Sequence, residues 1–367
     1  MNKRIVIATD SFKGSLTSYE AGVAISEGIS KAVPDALILI YEVADGGEGT
    51  SAVMTKAVNG TVHTVEVTGP LPSVKVNASY GIKGTTAIMD IASACGLTLI
   101  EPSSRNPLHT TTYGVGQMIT DALDKGCRDF IIGLGGSSSN DCGAGMLQAL
   151  GLRLTDEEGL DIRPGAIGLS DIHSIDTSSM DPRIRECTFT IACDVTNPLT
   201  GTNGCSMVFA PQKGADRSDC LKMDQWIEGF LKIAGDEGLV PGDGAAGGLG
   251  FAFRFFLNGK TVPGADLIID RTGLGEVIHD SDYVITGEGR LDEQTIMGKL
   301  PSKIALLGRK SGARVIAFAG CTGEGLSDTV FDEVYSISEG IPQEESMRNA
   351  AALLTQKAYE VFNGRSV

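Results

Sequence analysis

Long apolar runs are missing from this 367-residue chain, and none approaches the ~20 consecutive apolar residues that cross a bilayer. The opening Met1-Asn2-Lys3-Arg4-Ile5-Val6-Ile7-Ala8-Thr9-Asp10 is basic at its start but too poor in apolar residues for a signal-peptide core. A cytoplasmic protein is the expectation. Paired metal-ligand spacings are missing too. The eight cysteines lie far apart with no C-x-x-C, and the four histidines include no H-x-x-x-H pair. A zinc site and a disulfide framework are therefore both disfavoured. Aromatic residues make up only 5%, with one tryptophan, too few for a platform that stacks bases. Basic residues are outnumbered 30 to 46, for a net charge of −16. Such a surface repels phosphodiester backbones and anionic lipid, which argues against nucleic acid and membranes as partners.

Familiar nucleotide and hydrolase signatures are also absent. Gly259-Lys260-Thr261 resembles the end of a Walker A loop, but Arg254 stands where its first glycine is required. No G-x-G-x-x-G follows the first apolar run, and no G-x-S-x-G elbow exists.

What is abundant is glycine, 48 residues, about 13% and roughly twice the usual share. Apolar content is 42% and charged content 21%, ordinary for a globular protein, while the length points to two domains. Residues 5–9 form a short apolar run of strand length. Thr17-Ser18-Tyr19-Glu20 then offers a capping box for a helix with Ala21, Ile25, Ile29 and Ala32 on one face, and a second run covers 36–41. This is a β-α-β unit, the building block of a parallel sheet. The pattern returns at 283–286, 314–319 and 333–337, with helices around 301–310 and, last, through Met347, Ala350, Leu354, Ala358 and Val361. Between them, 62–68, 74–80 and 86–91 read as successive hairpin strands broken by glycine and proline. The expected fold class is α/β with two domains. Residues 1–68 and 265–367 are expected to form a five-stranded parallel domain from both chain ends, with 69–264 an inserted mixed α/β domain. Two consecutive domains are the alternative that spacing leaves open.

In an open parallel sheet, ligands bind beyond the carboxyl ends of the strands, where strand order reverses. The loops there are Thr9-Asp10-Ser11-Phe12-Lys13-Gly14-Ser15, Ala44-Asp45-Gly46-Gly47-Glu48-Gly49-Thr50, Gly287-Glu288-Gly289-Arg290-Leu291-Asp292 and Gly320-Cys321-Thr322-Gly323. One glycine loop is most simply a turn. Three acidic loops on one sheet edge point instead to a divalent cation, magnesium, with Asp45, Glu48 and Asp292 as its ligands. Lys13, Arg290, Lys299 and Lys213 sit beside glycine loops. They are either surface charges or counter-charges for phosphate and a small carboxylate, with Asp10 and Ser11 adjoining. In the inserted domain, Gly135, Gly136, Ser137 and Asn140 lie between a strand and a helix, where backbone N–H groups can approach phosphate. Gly247 and Gly248 repeat the theme, although close packing explains small residues equally well. Asp194 follows an apolar run, ahead of the stiff Asn197-Pro198 turn. It is a candidate proton acceptor, with a magnesium ligand and a turn cap as alternatives.

Together these strings, with Cys193-Asp194-Val195-Thr196-Asn197-Pro198-Leu199 and Pro211-Gln212-Lys213-Gly214-Ala215, resemble the bacterial glycerate kinase family, in family order and over essentially the whole chain. The resemblance implies transfer of the ATP γ-phosphoryl group to D-glycerate, usually giving 2-phosphoglycerate. It also implies a flavodoxin-like domain with an inserted second α/β domain. ATP is then the co-substrate and Mg2+ the cofactor. The resemblance leaves the role of each residue open. On the residues themselves, Lys13 and Asp194 are the expected catalytic residues. Because the glycine loops divide between the two domains, the site is expected between them, so that closure excludes water. Two other readings stay open on the residues alone, a non-catalytic sensor of a sugar acid or nucleotide and a phosphohydrolase. A homo-oligomer is neither specified nor excluded.

Overall fold

The computed structural model describes residues 2–44, 49–296, 298–323 and 330–365. The chain divides into two compact units, Met1–Asp45 with Ala265–Val367, and Gly46–Gly264. In the first unit a sheet of five parallel strands runs in the order Glu333–Ser336, Arg314–Thr322, Tyr283–Leu291, Arg4–Ile7, Leu37–Ile40. Counted along the chain this is 2-1-3-4-5, the flavodoxin-like order. Each of the three central strands carries a continuous apolar stretch where both of its faces are covered. Ile5, Val6, Ile7, Val284, Ile285, Val315 and Ile316 are all fully buried.

The Ser18–Ala32 helix starts where the capping box predicts. The Thr17 hydroxyl accepts the Glu20 N–H at 3.2 Å, and the Glu20 carboxylate accepts the Thr17 N–H at 2.8 Å. The helical pattern at the carboxyl end is interrupted, however. It forms Gln343–Arg348 and Ala350–Phe362, broken at Asn349 (φ −105°, ψ 13°), which leaves Met347 on the shorter piece. Asparagine competes for backbone partners and tolerates such a break.

The second unit holds a mixed sheet in the order Lys260–Val262, Thr188–Ala192, Asp129–Gly133, Thr86–Asp90, Lys75–Lys83, Thr61–Thr68. The first four strands are parallel, and the last two turn back as antiparallel hairpins. The expected first boundary after residue 68 therefore moves. The Thr61–Thr68 strand pairs residue for residue with Lys75–Lys83 and belongs to this second sheet. An aromatic chain anchors the core, with Phe130 stacked on Phe189 at 4.9 Å and Phe189 against Phe253 at 5.9 Å.

Arg254 has a structural task. Its guanidinium grips the buried Asp243 through two bonds of 2.7 and 2.8 Å and reaches Asp236 at 3.0 Å. Lys260 and Thr261 lie in a strand, so no phosphate loop forms there. Among the described residues no helix is long and apolar enough to cross a membrane.

Close helix packing in the first unit depends on Gly28. A Cβ there would come 2.2 Å from the Thr355 carbonyl oxygen and 2.8 Å from the Ala358 Cβ. Gly28→Ala should lower stability by about 1–3 kcal/mol through overpacking, read as a fall in the urea unfolding midpoint. An unchanged midpoint would show that the Ser18–Ala32 and Ala350–Phe362 helices do not approach this closely.

Candidate active site

Strand order in the first unit reverses between Arg4–Ile7 and Tyr283–Leu291. Beyond their carboxyl ends lies a cavity of about 490 Å³ whose lining includes Ser11, Phe12, Lys13, Glu288, Arg290, Asp292, Lys299, Ile341 and Met347, which is where an open sheet leaves room for a ligand. Five of the sequence candidates, Ser11, Lys13, Arg290, Asp292 and Lys299, are thus brought to one place. Asp10 is buried just beneath, accepting the Ser11 N–H on Oδ1 at 2.7 Å, and its own N–H bonds the Gly287 carbonyl at 2.8 Å. Ser15 Oγ donates to the Met347 carbonyl at 2.6 Å and ties this loop to the carboxyl-terminal helices.

Tyr283–Leu291 continues as strand past the sheet interior, still paired with Arg314–Thr322 through Arg290↔Cys321. Strand alternation puts Glu288 and Arg290 on one face, and both line the cavity. Gly320 permits the close pairing, since a Cβ there would lie 2.4 Å from the Gly289 carbonyl oxygen. Thr295, fully buried, organises the turn that follows. Its hydroxyl donates to Glu288 Oε1 at 2.5 Å and accepts the Asp292 N–H at 3.2 Å. Arg290 Nε lies 3.3 Å from Asp292 Oδ2, and Lys299 Nζ lies 3.9 Å from Glu288 Oε2. Burial raises the Glu288 carboxyl above its ordinary value, opposed by the Thr295 hydrogen bond and the charges of Lys299 and Lys13. Glu288 was not among the expected site residues. Its alternation with Arg290 between glycines was the available signal.

Asp194 lies two residues past the Thr188–Ala192 strand, exposed, and Oδ1 accepts the Gly264 N–H at 3.0 Å. It holds backbone, as in the capping alternative, although across 70 residues of chain rather than within its own turn. Asp45 and Glu48 lie outside the described residues. Among the described residues no group of three or more His, Cys, Asp or Glu side chains could hold a metal ion. Asp292 does offer a hard carboxylate donor at the cavity, which suits magnesium bound through one carboxylate and phosphate.

The second-unit candidates form a separate cluster. Lys213, 2% exposed, donates to Ser137 Oγ at 2.8 Å and to the Ser139 carbonyl at 2.6 Å, beneath the glycine loop. Gly135 is half-buried and Gly136 exposed on that loop, with φ +78° at Gly136. Asn140 is fully buried, its Nδ2 bonded to Ser206 Oγ at 2.9 Å. Its neighbour Asp141, missed in the sequence, accepts the Thr112 N–H and hydroxyl at 2.8 and 2.9 Å and the N–H groups of Gly143 and Gly145. Gly247 and Gly248 pack against this loop, where Cβ atoms would meet the Ser139 carbonyl oxygen at 2.2 Å and the Cys142 Cα at 2.7 Å. At those two positions close packing accounts for the glycine.

Burial pushes the Lys213 ammonium down from 10.5 to about 8. Between those values the unfolded chain holds a proton that the folded chain releases, so this residue's contribution to stability rises with pH. Relative to Lys213→Met, the wild-type protein should gain stability between about pH 8 and 10.5, measured by urea unfolding across that window. A constant difference would show that the ammonium stays charged in the fold.

The comparisons with known proteins agree with one another. The glycerate kinase family model matches residues 5–365. The glycerate kinase of Halalkalibacterium halodurans is 42% identical over 97% of each chain. The glycerate 2-kinase of Escherichia coli K12 is 42% identical over 95% of this chain and 94% of its own. A crystal structure assigned as glycerate kinase 2 of Salmonella typhimurium LT2 superposes with a TM-score of 0.85 at 42% identity, covering 99% of this chain and 98% of that one. With a flavodoxin-like sheet, an inserted mixed sheet and the family's motifs matched from end to end, this chain belongs to the glycerate kinase family.

Proposed function

We propose that this protein transfers the γ-phosphoryl group of ATP to D-glycerate, giving 2-phosphoglycerate, and that the cavity at the strand-order reversal is where the phosphoryl group is held. The observation that carries the reading is the gathering of Lys13, Arg290 and Lys299 around one cavity of about 490 Å³ in a protein of net charge −16. In so acidic a molecule, three cations at one opening provide a local attraction for phosphate and carboxylate. Phosphoryl transfer needs little covalent help and depends on positioning and charge stabilisation.

In this reading Lys13 and Lys299 act as point charges on phosphate oxygens, and Arg290 offers its planar fork to a carboxylate or phosphate. Ser11 adds a hydroxyl donor. The apolar side of the cavity, with Phe12, Ile341 and Met347, suits the flat face of the adenine. Asp292 is the described residue that would hold magnesium, which when bound neutralises charge on the transferring phosphoryl group. In the second unit, Gly135-Gly136-Ser137 above the Lys213 ammonium is a further anion-binding element. Lys213 supports that loop from beneath.

ADP formation should depend on D-glycerate, with 31P NMR identifying the 2-phospho product. Release of ADP at an equal rate without acceptor would favour a phosphohydrolase, and no release would favour a sensor. Lys13→Ala should lower kcat/KM by about a hundredfold with an unchanged unfolding midpoint. Near-normal kinetics in that variant would make Lys13 a surface charge.

A further inference from the structure

We propose that Glu288 is the proton acceptor of the transfer, taking the hydroxyl proton of the acceptor as its oxygen attacks phosphorus. The inference rests on the glycerate kinase reading above and adds a residue and a role to it. A carboxylate that does this work must reach the reacting hydroxyl, be shielded from bulk water, and be held in one orientation. Glu288 is shielded and held in one orientation, and it opens onto the cavity proposed for the phosphoryl group. It lines the cavity with its side chain 12% exposed. It is fixed by the buried Thr295 hydroxyl at 2.5 Å, which occupies Oε1. Its other oxygen, Oε2, lies 3.9 Å from Lys299 Nζ, a separation at the limit of direct pairing.

The charged groups around Glu288 make a carboxylate tolerable beside polyphosphate. Lys13 approaches from the loop after the first strand and Lys299 from the start of the Leu300–Ser311 helix, while Asp292 on its own loop opposes them. Burial raises its basicity towards neutrality, where a general base works best. Asp194, by contrast, is exposed and engaged with the Gly264 N–H, so the enclosure favours Glu288.

The step balances without a further reagent. The acceptor O–H bond breaks and its proton passes to Glu288. The hydroxyl oxygen forms a bond to the γ-phosphorus, and the bridging P–O bond breaks with its electron pair leaving on ADP. The proton returns to solvent as products depart. Thr295 is a positioning residue in this scheme, acting through Glu288.

Glu288→Gln keeps the shape and can still accept from Thr295, so the fold should survive. Its kcat should fall by about 10²–10⁴-fold while ATP affinity by calorimetry stays within about threefold, and the acidic limb of the kcat/KM pH profile should vanish. Thr295→Val should lower kcat about tenfold with KM for ATP unchanged, and Thr295→Ser should restore it. A Glu288→Gln kcat within about threefold of wild type would overturn the proposal. So would a loss confined to ATP affinity, or one recovered by raised magnesium, which would make Glu288 a metal ligand. Retained turnover in Glu288→Gln with lost turnover in Asp194→Asn would return the role to Asp194. Each of these leaves the kinase reading intact, because that reading fails only if wild-type ADP formation ignores glycerate.

Discussion

The pairing of Tyr283–Leu291 between Arg4–Ile7 and Arg314–Thr322 is the constraint from which the first-unit site follows. Parallel neighbours on both sides lock the register of this strand, and register decides which side chains face which way. Because the strand outruns its first neighbour and keeps its ladder with the other, Glu288 and Arg290 are delivered past the sheet edge on rigid backbone. The loop after the first strand meets them there. The Asp10 N–H on the Gly287 carbonyl fastens one loop to the other. Lys13 and Glu288 therefore come to the same cavity.

In each unit a buried polar side chain holds a loop that carries candidate site residues. In the first it is Thr295, whose single hydroxyl serves a carboxylate as donor and a backbone N–H as acceptor. In the second it is Lys213, whose ammonium serves a hydroxyl and a carbonyl under the glycine loop. The two devices differ in energy. A satisfied hydroxyl costs little to bury, whereas an ammonium in the interior carries a desolvation penalty, visible in its lowered proton affinity. A structure that keeps such a charge beneath an exposed glycine turn carries a positive field at that turn. Asp141 and Asp90 provide the opposite sign at backbone N–H groups. Asp90 accepts from Gly49 and Ser51 at the start of the Thr50–Ala57 helix.

Much of this was legible in the residues alone. Five apolar runs, a capping box and a return of the β-α pattern near the carboxyl end pointed to parallel β-α-β structure at both ends of the chain. Spacing alone left two consecutive domains nearly as good a reading as one domain built from both ends. Buried parallel strands write themselves as continuous apolar segments. Glycine loops with charges at strand ends marked Ser11, Lys13, Arg290, Asp292 and Lys299, because that edge is where open sheets bind ligands. Tertiary structure decided what depended on partners distant in sequence. Which sheet receives Thr61–Thr68 is settled by a ladder to Lys75–Lys83, and a strand's own residues cannot declare its neighbour. Lys213 reads as any lysine beside a glycine until Ser137 and Ser139 close over it. Glu288 reads as one more surface carboxylate until Thr295 and the cavity enclose it. Burial and orientation arise only when segments far apart in the chain meet, and local composition carries no record of that meeting.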